Sequence, residues 1–496
     1  MRALKARLLD LFTIDTRSLA VFRVALALTI LADLALRARD LGAFYTDDGV
    51  LPRALLADDV GSRAPWLTLG FGLVPHFWFG GALGQGFLFV VAGLAAVLLL
   101  VGWQTRWVTV ASWVLLTSLQ SRNPIVLNGG DAILRLLLFW SMLLPLGARW
   151  SLDAGRAGRR PPDVVTGGAA AALLLQVVLI YVFTGLKKSG ATWNEDYTAL
   201  ALFLGNGRFG SEWGRALLAY PVLLQAMTWI TITLERWGPL LALSPFWSGP
   251  ARTLAVVLFA GLHAGVLLLS TIDLFSVISI VAWTVFVPPW FWNRLGAVTG
   301  RGTTGECGRE GVPRWQDRVA LALIAYVLLW NVRGLDGDIG SAGSIRAWFP
   351  PGFTIPGVAL RLDQAWGVFA PDVSPYTRFV AVRGETAGGR SVDLLRGEPY
   401  APERMRLPTG RYTRERWGAY WRNLRSSSAR RDPFRERAAV YLAGHWNARG
   451  RPDPVTRVQL IRVDEPIVVA NGGMEPAPAP RTRTRQLLDL PVAGAP

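Results

Sequence analysis

Two adjacent lysines, Lys187 and Lys188, close a long apolar run and are followed within ten residues by Trp193, Asn194, Glu195 and Asp196. A lysine with an ordinary pKa of about 10.4 is a poor base at neutral pH. Desolvation and a neighbouring cation both favour the neutral amine, so a lysine held beside a cavity here can act as a general base. The pair reads equally as two lysines snorkelling to a water–lipid boundary, and the residues alone leave both readings open. Further polar side chains interrupt or border other apolar runs: Arg23, Asp33, Asp131, Arg135, Glu235, His263 and Asp273. Ionisable groups at membrane depth are costly and mark pairing or functional sites. Arg23 and Asp33 are too far apart along one helix to meet, which predicts partners on other helices. Asp131 and Arg135, four residues apart, are predicted to pair locally. His263 reads from the residues as a packed histidine or as a functional one.

Composition removes several chemistries. A single cysteine, Cys307, excludes an intramolecular disulfide, a CxxC redox pair and a thiolate metal cluster. The histidines, His76, His263 and His445, are too scattered for a multi-histidine metal site, and no metal is expected. The chain has no phosphate-binding glycine loop, no HExxH and no nucleophile elbow. Its net charge of +17 lies largely in short loops between apolar runs, where retention on the cytoplasmic side explains it without a nucleic-acid partner. The Arg/Trp-rich run 411–425 is expected to lie against headgroups or the membrane region.

The elements that must position the lysines are membrane elements. Of 496 residues, 51% are hydrophobic and only 18% charged, against about a quarter charged in soluble domains. The 22 tryptophans suit many water–lipid boundaries. Apolar runs centre on 18–36, 86–103, 108–119, 133–146, 169–186, 216–234, 254–269, 274–292 and 319–331. This predicts an all-α polytopic transmembrane bundle of about nine spanning helices. The first run holds Arg23 and Asp33, unlike the apolar stretch of a cleaved signal, and is read as a retained helix. Basic residues precede the first run (Arg2, Lys5, Arg7, Arg17), follow the fourth (Arg149, Arg156, Arg159, Arg160) and follow the eighth (Arg294, Arg301, Arg309, Arg314, Arg318). Their distribution predicts a cytoplasmic N-terminus and an extracytoplasmic C-terminal part, in the cytoplasmic membrane. The short apolar stretch 198–205 is predicted as a re-entrant or interfacial helix, and 37–85 as an outer cap. Residues 1–333 then form the membrane domain and 334–474 a small α+β domain. The latter has a hairpin of 379–383 with 391–395, helices at 415–424 and 435–442, and a strand at 455–463. The Pro-rich tail 475–496 is expected to be disordered.

The segment Tyr181-Val-Phe-Thr-Gly-Leu-Lys-Lys-Ser-Gly-Ala-Thr-Trp-Asn-Glu-Asp-Tyr197 resembles the lysine-pair segment of vitamin K-dependent gamma-glutamyl carboxylases and their bacterial HTTM relatives. The likeness extends to Val21-Phe-Arg-Val with Asp33, to Arg149-Trp-Ser-Leu-Asp153, and to His263 before Leu274-Phe-Ser. It covers roughly 15–292. The resemblance implies a lyase-type membrane enzyme, a quinol-dependent epoxidase and carboxylase of the bacterial inner membrane. Lys188, aided by Lys187, would deprotonate a reduced naphthoquinone (vitamin K hydroquinone or menaquinol). With O2 and CO2 as co-substrates, a glutamate of an extracytoplasmic protein or peptide would then be carboxylated. Trp193, Glu195, Asp131, His263 and Asn128 stand as support or substrate-binding candidates. Counting back from Arg149, Gly130 occupies the place of a lysine-supporting histidine in the animal carboxylases, with Asp131 beside it as a substitute polar partner. The alternative is a non-catalytic membrane scaffold or lipid-binding protein that kept the fold.

Overall fold

The computed structural model describes residues 10–63, 72–158, 162–272, 274–298, 309–311, 313–335, 344–402, 405–449, 453–468 and 482–492. Arg2, Lys5, Arg7, Arg159, Arg160, Asp273, Arg301 and Cys307 lie outside them.

Three short strands tie one end of a helical bundle together. β1 (Ile14–Asp15) pairs antiparallel with β2 (Val164–Thr166), which pairs parallel with β3 (Arg309–Gly311). Each strand leads into a long helix: α1 (Thr16–Ala38), α5 (Gly168–Lys187) and α10 (Arg314–Arg333). Local chemistry fixes these starts. Asp15 caps α1 by accepting the Arg17 amide at 2.8 Å, and the Asp317 carboxylate accepts the Ala169 amide at 3.2 Å. Gly167 has φ +126°, and a β-carbon there would collide with Asp317, so only glycine allows that approach. Members of the three predicted cytoplasmic basic groups thus meet at one end: Arg17 bonds Asn293 at 3.1 Å and Arg149 bonds Asp163 at 3.1 Å.

Between α1 and α5 the chain forms α2 (Ala82–Val101), α3 (Thr105–Arg122) and α4 (Gly129–Ser141). After α5 come α6 (Ala199–Gly205), α7 (Pro221–Ala242), α8 (Ser248–Leu269) and α9 (Leu274–Thr284). On α2, Leu83, Phe87, Val90, Leu94, Val97 and Val101 are all exposed at helical spacing, a stripe that water would not tolerate and lipid would. Helix α5 is central: 78% of its apolar window is buried, against 22% for α8.

Among the described residues, four helices are long and apolar enough to cross a bilayer: α1, α2, α5 and α8. The number rises to six if the bent pairs Glu212–Ala219 with α7 and α9 with Pro289–Val298 each count once. The predicted nine is therefore not reached by length and apolarity. Helix α4 has 13 residues, about 20 Å at 1.5 Å per residue, short of a hydrocarbon core of about 30 Å. Helix α10 begins Arg-Trp-Gln-Asp-Arg and is too polar at that end. The stretch predicted as a short non-crossing helix is α6, with seven residues.

Beyond α10, β4 (Tyr376–Thr386), β5 (Ser391–Asp393), β6 (Glu398–Pro399), β7 (Val455–Pro466) and β8 (Arg483–Pro491) form an antiparallel sheet in the order β6-β5-β4-β7-β8. The predicted hairpin is β4–β5, with Glu385 opposite Ser391. Helices α11 (Glu415–Leu424) and α12 (Asp432–Asn447) cover one face of the sheet, where Trp417, Phe434 and Leu442 pack with Val380, Val382 and Leu460. The expectation of a disordered tail fails at β8, which pairs with β7 from Arg457 opposite Pro491 to Asp464 opposite Arg483. Ladder bonds to an otherwise open β7 edge satisfy a backbone whose flanking prolines had suggested disorder.

The domain is docked onto the bundle end opposite β1–β3. Asn423 donates to Ile125 O at 2.6 Å and Arg437 to Gly49 O at 2.8 Å. One hydrophobic core runs continuously from bundle to domain. The connecting segment 361–373 inserts between them, with Leu362 and Trp366 fully buried.

Candidate functional site

Lys188 is the C-cap of α5 and sits at the bundle end that carries the C-terminal domain. Helix ends leave carbonyls without intrahelical partners, and Arg236 of α7 supplies donors: Nε to Gly185 O at 3.0 Å and Nη2 to Lys188 O at 2.8 Å. With the backbone fixed from outside, the Lys188 side chain turns inward. Its ammonium meets both oxygens of Glu235, at 2.8 Å and 2.6 Å, and lies 4.2 Å from the Trp193 ring centroid, a cation–π distance. Side-chain exposure is 5% for Lys188 and 10% for Glu235. Solvent-facing snorkelling is excluded for Lys188. Lys187, half-buried, donates to Gly334 O on the far side of the helix end, so the two amines diverge.

The segment 366–373 covers this pair. Trp193 Nε1 donates to Phe369 O at 2.9 Å, and the Gly190 amide donates to Pro371 O at 3.2 Å. Asp372 accepts the Thr192 amide at 2.8 Å and its hydroxyl at 2.7 Å. A side chain at Gly190 would collide with that carboxylate, which explains the glycine of Ser-Gly-Ala-Thr-Trp. Phe369, at φ +57°, packs its ring edge-on against Phe203 at 5.0 Å and Phe209 at 5.4 Å. A left-handed backbone at a bulky residue persists only where the surroundings enforce it.

Seven residues before Lys188, two helical turns along the same face, Tyr181 shares a 2.6 Å hydrogen bond with His263 Nε2. Phe259 and Trp283 enclose the tyrosine, at centroid distances of 4.5 Å and 5.4 Å. The other ring nitrogen of His263 and the hydroxyl of Ser276 are buried without a hydrogen-bond partner among the described residues. Buried polar atoms normally have partners, so these two are candidate contacts for a bound polar ligand. Glycines form the facing surface: at Gly130 a β-carbon would lie 3.3 Å from Phe275 Cα and 3.3 Å from Ile278 Cδ1. A histidine would not fit there without displacing α9.

The remaining predicted candidates fall elsewhere. Asp131 and Asn128 form the capping box of α4, Asp131 N to Asn128 Oδ1 at 3.2 Å and Asn128 N to Asp131 Oδ2 at 2.7 Å. Asp131 does not pair with Arg135, nor does it support Lys188. It binds Arg37 and Arg416, while Asp33 binds the same two arginines at 2.7 Å each. Two carboxylates thus alternate with two guanidiniums, and one of the latter comes from α11. Arg135 instead donates to Arg361 O at 2.8 Å and Gln120 Oε1 at 3.0 Å. A stronger cross-helix partner displaced the local i,i+4 pair. Asn128 also donates to Glu415. Glu195 is exposed and joins neither constellation. Arg23 donates to Trp150 O at 2.5 Å, and Asp153 caps α3 by accepting the amides of Gln104 and Thr105 at 2.9 Å and 2.8 Å. The Val-Phe-Arg-Val and Arg-Trp-Ser-Leu-Asp motifs therefore meet each other at the β1–β3 end, remote from Lys188. Arg236, Phe369 and Asp372 were not found from sequence. The two from the inserted segment act about 180 positions from their partners, and no local pattern announces that.

Residues 81–291 match the family model of the HTTM domain. No curated protein and no solved structure gives a match.

Proposed function

We propose, from the HTTM domain that residues 81–291 form, the domain characteristic of vitamin K-dependent gamma-carboxylase-like proteins, that this integral membrane protein uses Lys188 as the base of a quinol-dependent reaction. The observation that carries the reading is the enclosure of the Lys188–Glu235 pair beneath Trp193 and segment 366–373. A lysine there is shielded from bulk water, the condition a strong base or a carbanion needs to escape quenching.

The residues present fit a flat, polar-edged ring. Aromatic side chains surround Tyr181, and the orphaned His263 nitrogen and Ser276 hydroxyl are buried polar groups able to bond the polar edges of such a ring. A reduced naphthoquinone, with O2 and CO2 as co-substrates, would supply the oxidisable ring. The protein's part is proton handling. The Lys188 ammonium is hydrogen-bonded to Glu235, and transfer of one proton across that bond replaces two buried charges by two neutral groups. Nζ then holds a lone pair able to take a hydroxyl proton, and Glu235 stores the proton removed. Trp193 keeps the amine against Glu235 while it is charged. The acceptor would be a glutamate of an extracytoplasmic protein or peptide. The gathering of the basic segments at the β1–β3 end supports a cytoplasmic location for that end and an outer location for the Lys188 end and the C-terminal domain.

A second reading has its own support. The Lys188–Glu235 pair is satisfied without any ligand, and Arg416 locks the C-terminal domain to the bundle, as a non-catalytic scaffold would require. One experiment separates the two. Purified protein given vitamin K hydroquinone or menaquinol under oxygen should form the quinone epoxide and lose that activity in Lys188→Ala. Absence of epoxide from folded wild-type protein with either quinol decides for the scaffold.

A further inference from the structure

At the seam between the turn 206–210 and the C-terminal domain, five arginines meet with few acceptors. Gly418 and Arg422 lie one turn apart on one face of α11, and Arg425 caps the helix one turn further on. A side chain at Gly418 would collide with the Arg208 guanidinium, which places Arg208 against that face. Arg425 donates to Arg378 O at 3.2 Å. Arg378 faces Asp464 across the β4–β7 ladder, but its Nε is 4.0 Å from that carboxylate. Asp464 is already held by both donors of Arg462, at 2.8 Å and 2.6 Å.

Three of these cations are short of acceptors. The Arg208 guanidinium forms no hydrogen bond or ion pair among the described residues; it lies against Gly418 of α11, within the field of Glu415, with the Phe209 ring at 5.6 Å. Arg422 has one long bond, 3.4 Å, to Leu127 O. Arg378 Nε is buried and unsatisfied. Burial, followed by the mutual repulsion of these arginines, pushes Arg425 down to about 10. Arg208 also falls to about 10, through burial and then Arg422, with Glu415 opposing. A fold that gathers cations in this way is relieved by an anion with several acceptor oxygens.

The height of the seam identifies that anion. Thr271 donates to Arg208 O at 2.8 Å, immediately beyond the end of α8, whose Leu267 and Leu268 are 46% and 61% exposed. Nearby, Trp213 and Tyr220 are 71% and 60% exposed, on and beside a helix bent 115° from α7. Aromatic side chains of this kind mark the water–lipid boundary. The arginines therefore stand where lipid-facing surface gives way to headgroups.

We propose that Arg208, Arg378, Arg422, Arg425 and Arg462 form a binding site for the phosphate of an anionic phospholipid headgroup. The site is independent of the Lys188 chemistry and stands whether or not the protein is a catalyst.

The test uses full-length protein in nanodiscs of phosphatidylcholine with phosphatidylglycerol, followed by native mass spectrometry of the lipid retained. Wild type should retain phosphatidylglycerol in preference to phosphatidylcholine. The double variant R208Q/R422Q should lose about tenfold or more of that retention, since each interfacial arginine attracts anionic lipid. R208Q alone changes a guanidinium without hydrogen bonds in the turn 206–210, and serves if the double variant does not fold. Equal retention of the two lipids by wild type overturns the proposal without any variant, as does unchanged retention in R208Q/R422Q. Displacement of the lipid by inorganic phosphate assigns the site to free phosphate, and displacement by a glutamate-rich peptide assigns it to a protein ligand. Either result overturns the lipid assignment.

Discussion

Replacing Glu235 by leucine leaves the Lys188 ammonium, 5% exposed, without its carboxylate. Among the described residues the remaining close neighbour of that amine is the Trp193 ring at 4.2 Å, which cannot accept its protons as a carboxylate does. Removing one partner of a buried pair costs about 3–5 kcal/mol, because an uncompensated charge stays behind. The cation–π contact with Trp193 is present with or without Glu235 and offsets none of this, so a loss of about 3–5 kcal/mol is expected for Glu235→Leu. The double variant K188M/E235L removes both charges and keeps apolar volume. It should lie within about 1 kcal/mol of wild type or above it, recovering the loss of the Glu235→Leu variant. Denaturant unfolding of the wild type, both single variants and the double variant in one detergent completes the cycle. A loss below about 1 kcal/mol for Glu235→Leu, or a double variant as weak as the single one, would refute the enclosure inferred for this pair.

Arg416→Met should free the C-terminal domain from the bundle, since it leaves Asp33 and Asp131 sharing Arg37 alone; a loss of about 3 kcal/mol is expected, read as faster hydrogen exchange in α11. The Asp153 carboxyl is held below its usual range: burial raises it, but the Thr105 hydroxyl and the amides of Thr105 and Gln104 outweigh that. A depressed carboxylate stabilises the fold above its ordinary unfolded value and loses that contribution as pH falls through the lower folded value. Asp153→Asn should therefore flatten the acid limb of a melting-temperature profile below about pH 4, whereas an unchanged limb denies the capping role. Gly190→Ala should displace Asp372 from Thr192 and disorder segment 366–373, seen as faster hydrogen exchange there and at Trp193, with α1–α3 unaffected.

How much of this could be read from the residues depended on whether a signal was local. The lysine pair, the β4–β5 hairpin with Gly388 and Gly389 in its turn, and the limits of α11 all show in stretches of about ten residues, because propensity and turn chemistry act over that range. Pairings did not. A charge inside an apolar run announces that it needs a partner, but nothing in the run says that Lys188 takes Glu235, 47 positions on, or that Asp33 takes Arg416, 383 positions on. Asp131 misled for the same reason: its i,i+4 neighbour Arg135 was available, yet two arginines from elsewhere lay closer. Apolar runs outnumber the helices of crossing length because a helix enclosed by others, such as α4, is as hydrophobic as one facing lipid at only 13 residues. Strand β8 was hidden by the prolines around it, although Arg483 to Leu490 can pair along its whole length with β7.

For the Lys188 amine to be freed, Glu235 must receive its proton. The isosteric variant Glu235→Gln keeps a hydrogen-bond acceptor 2.6–2.8 Å from Nζ but cannot take that proton. Quinone epoxide formation by folded Glu235→Gln protein, compared with wild type and Lys188→Ala in one assay, is the direct measurement. The prediction is a rate at least about a hundredfold below wild type, within the usual 10²–10⁴ contribution of a proton-transfer group and close to that of Lys188→Ala. A Glu235→Gln rate equal to wild type would contradict it.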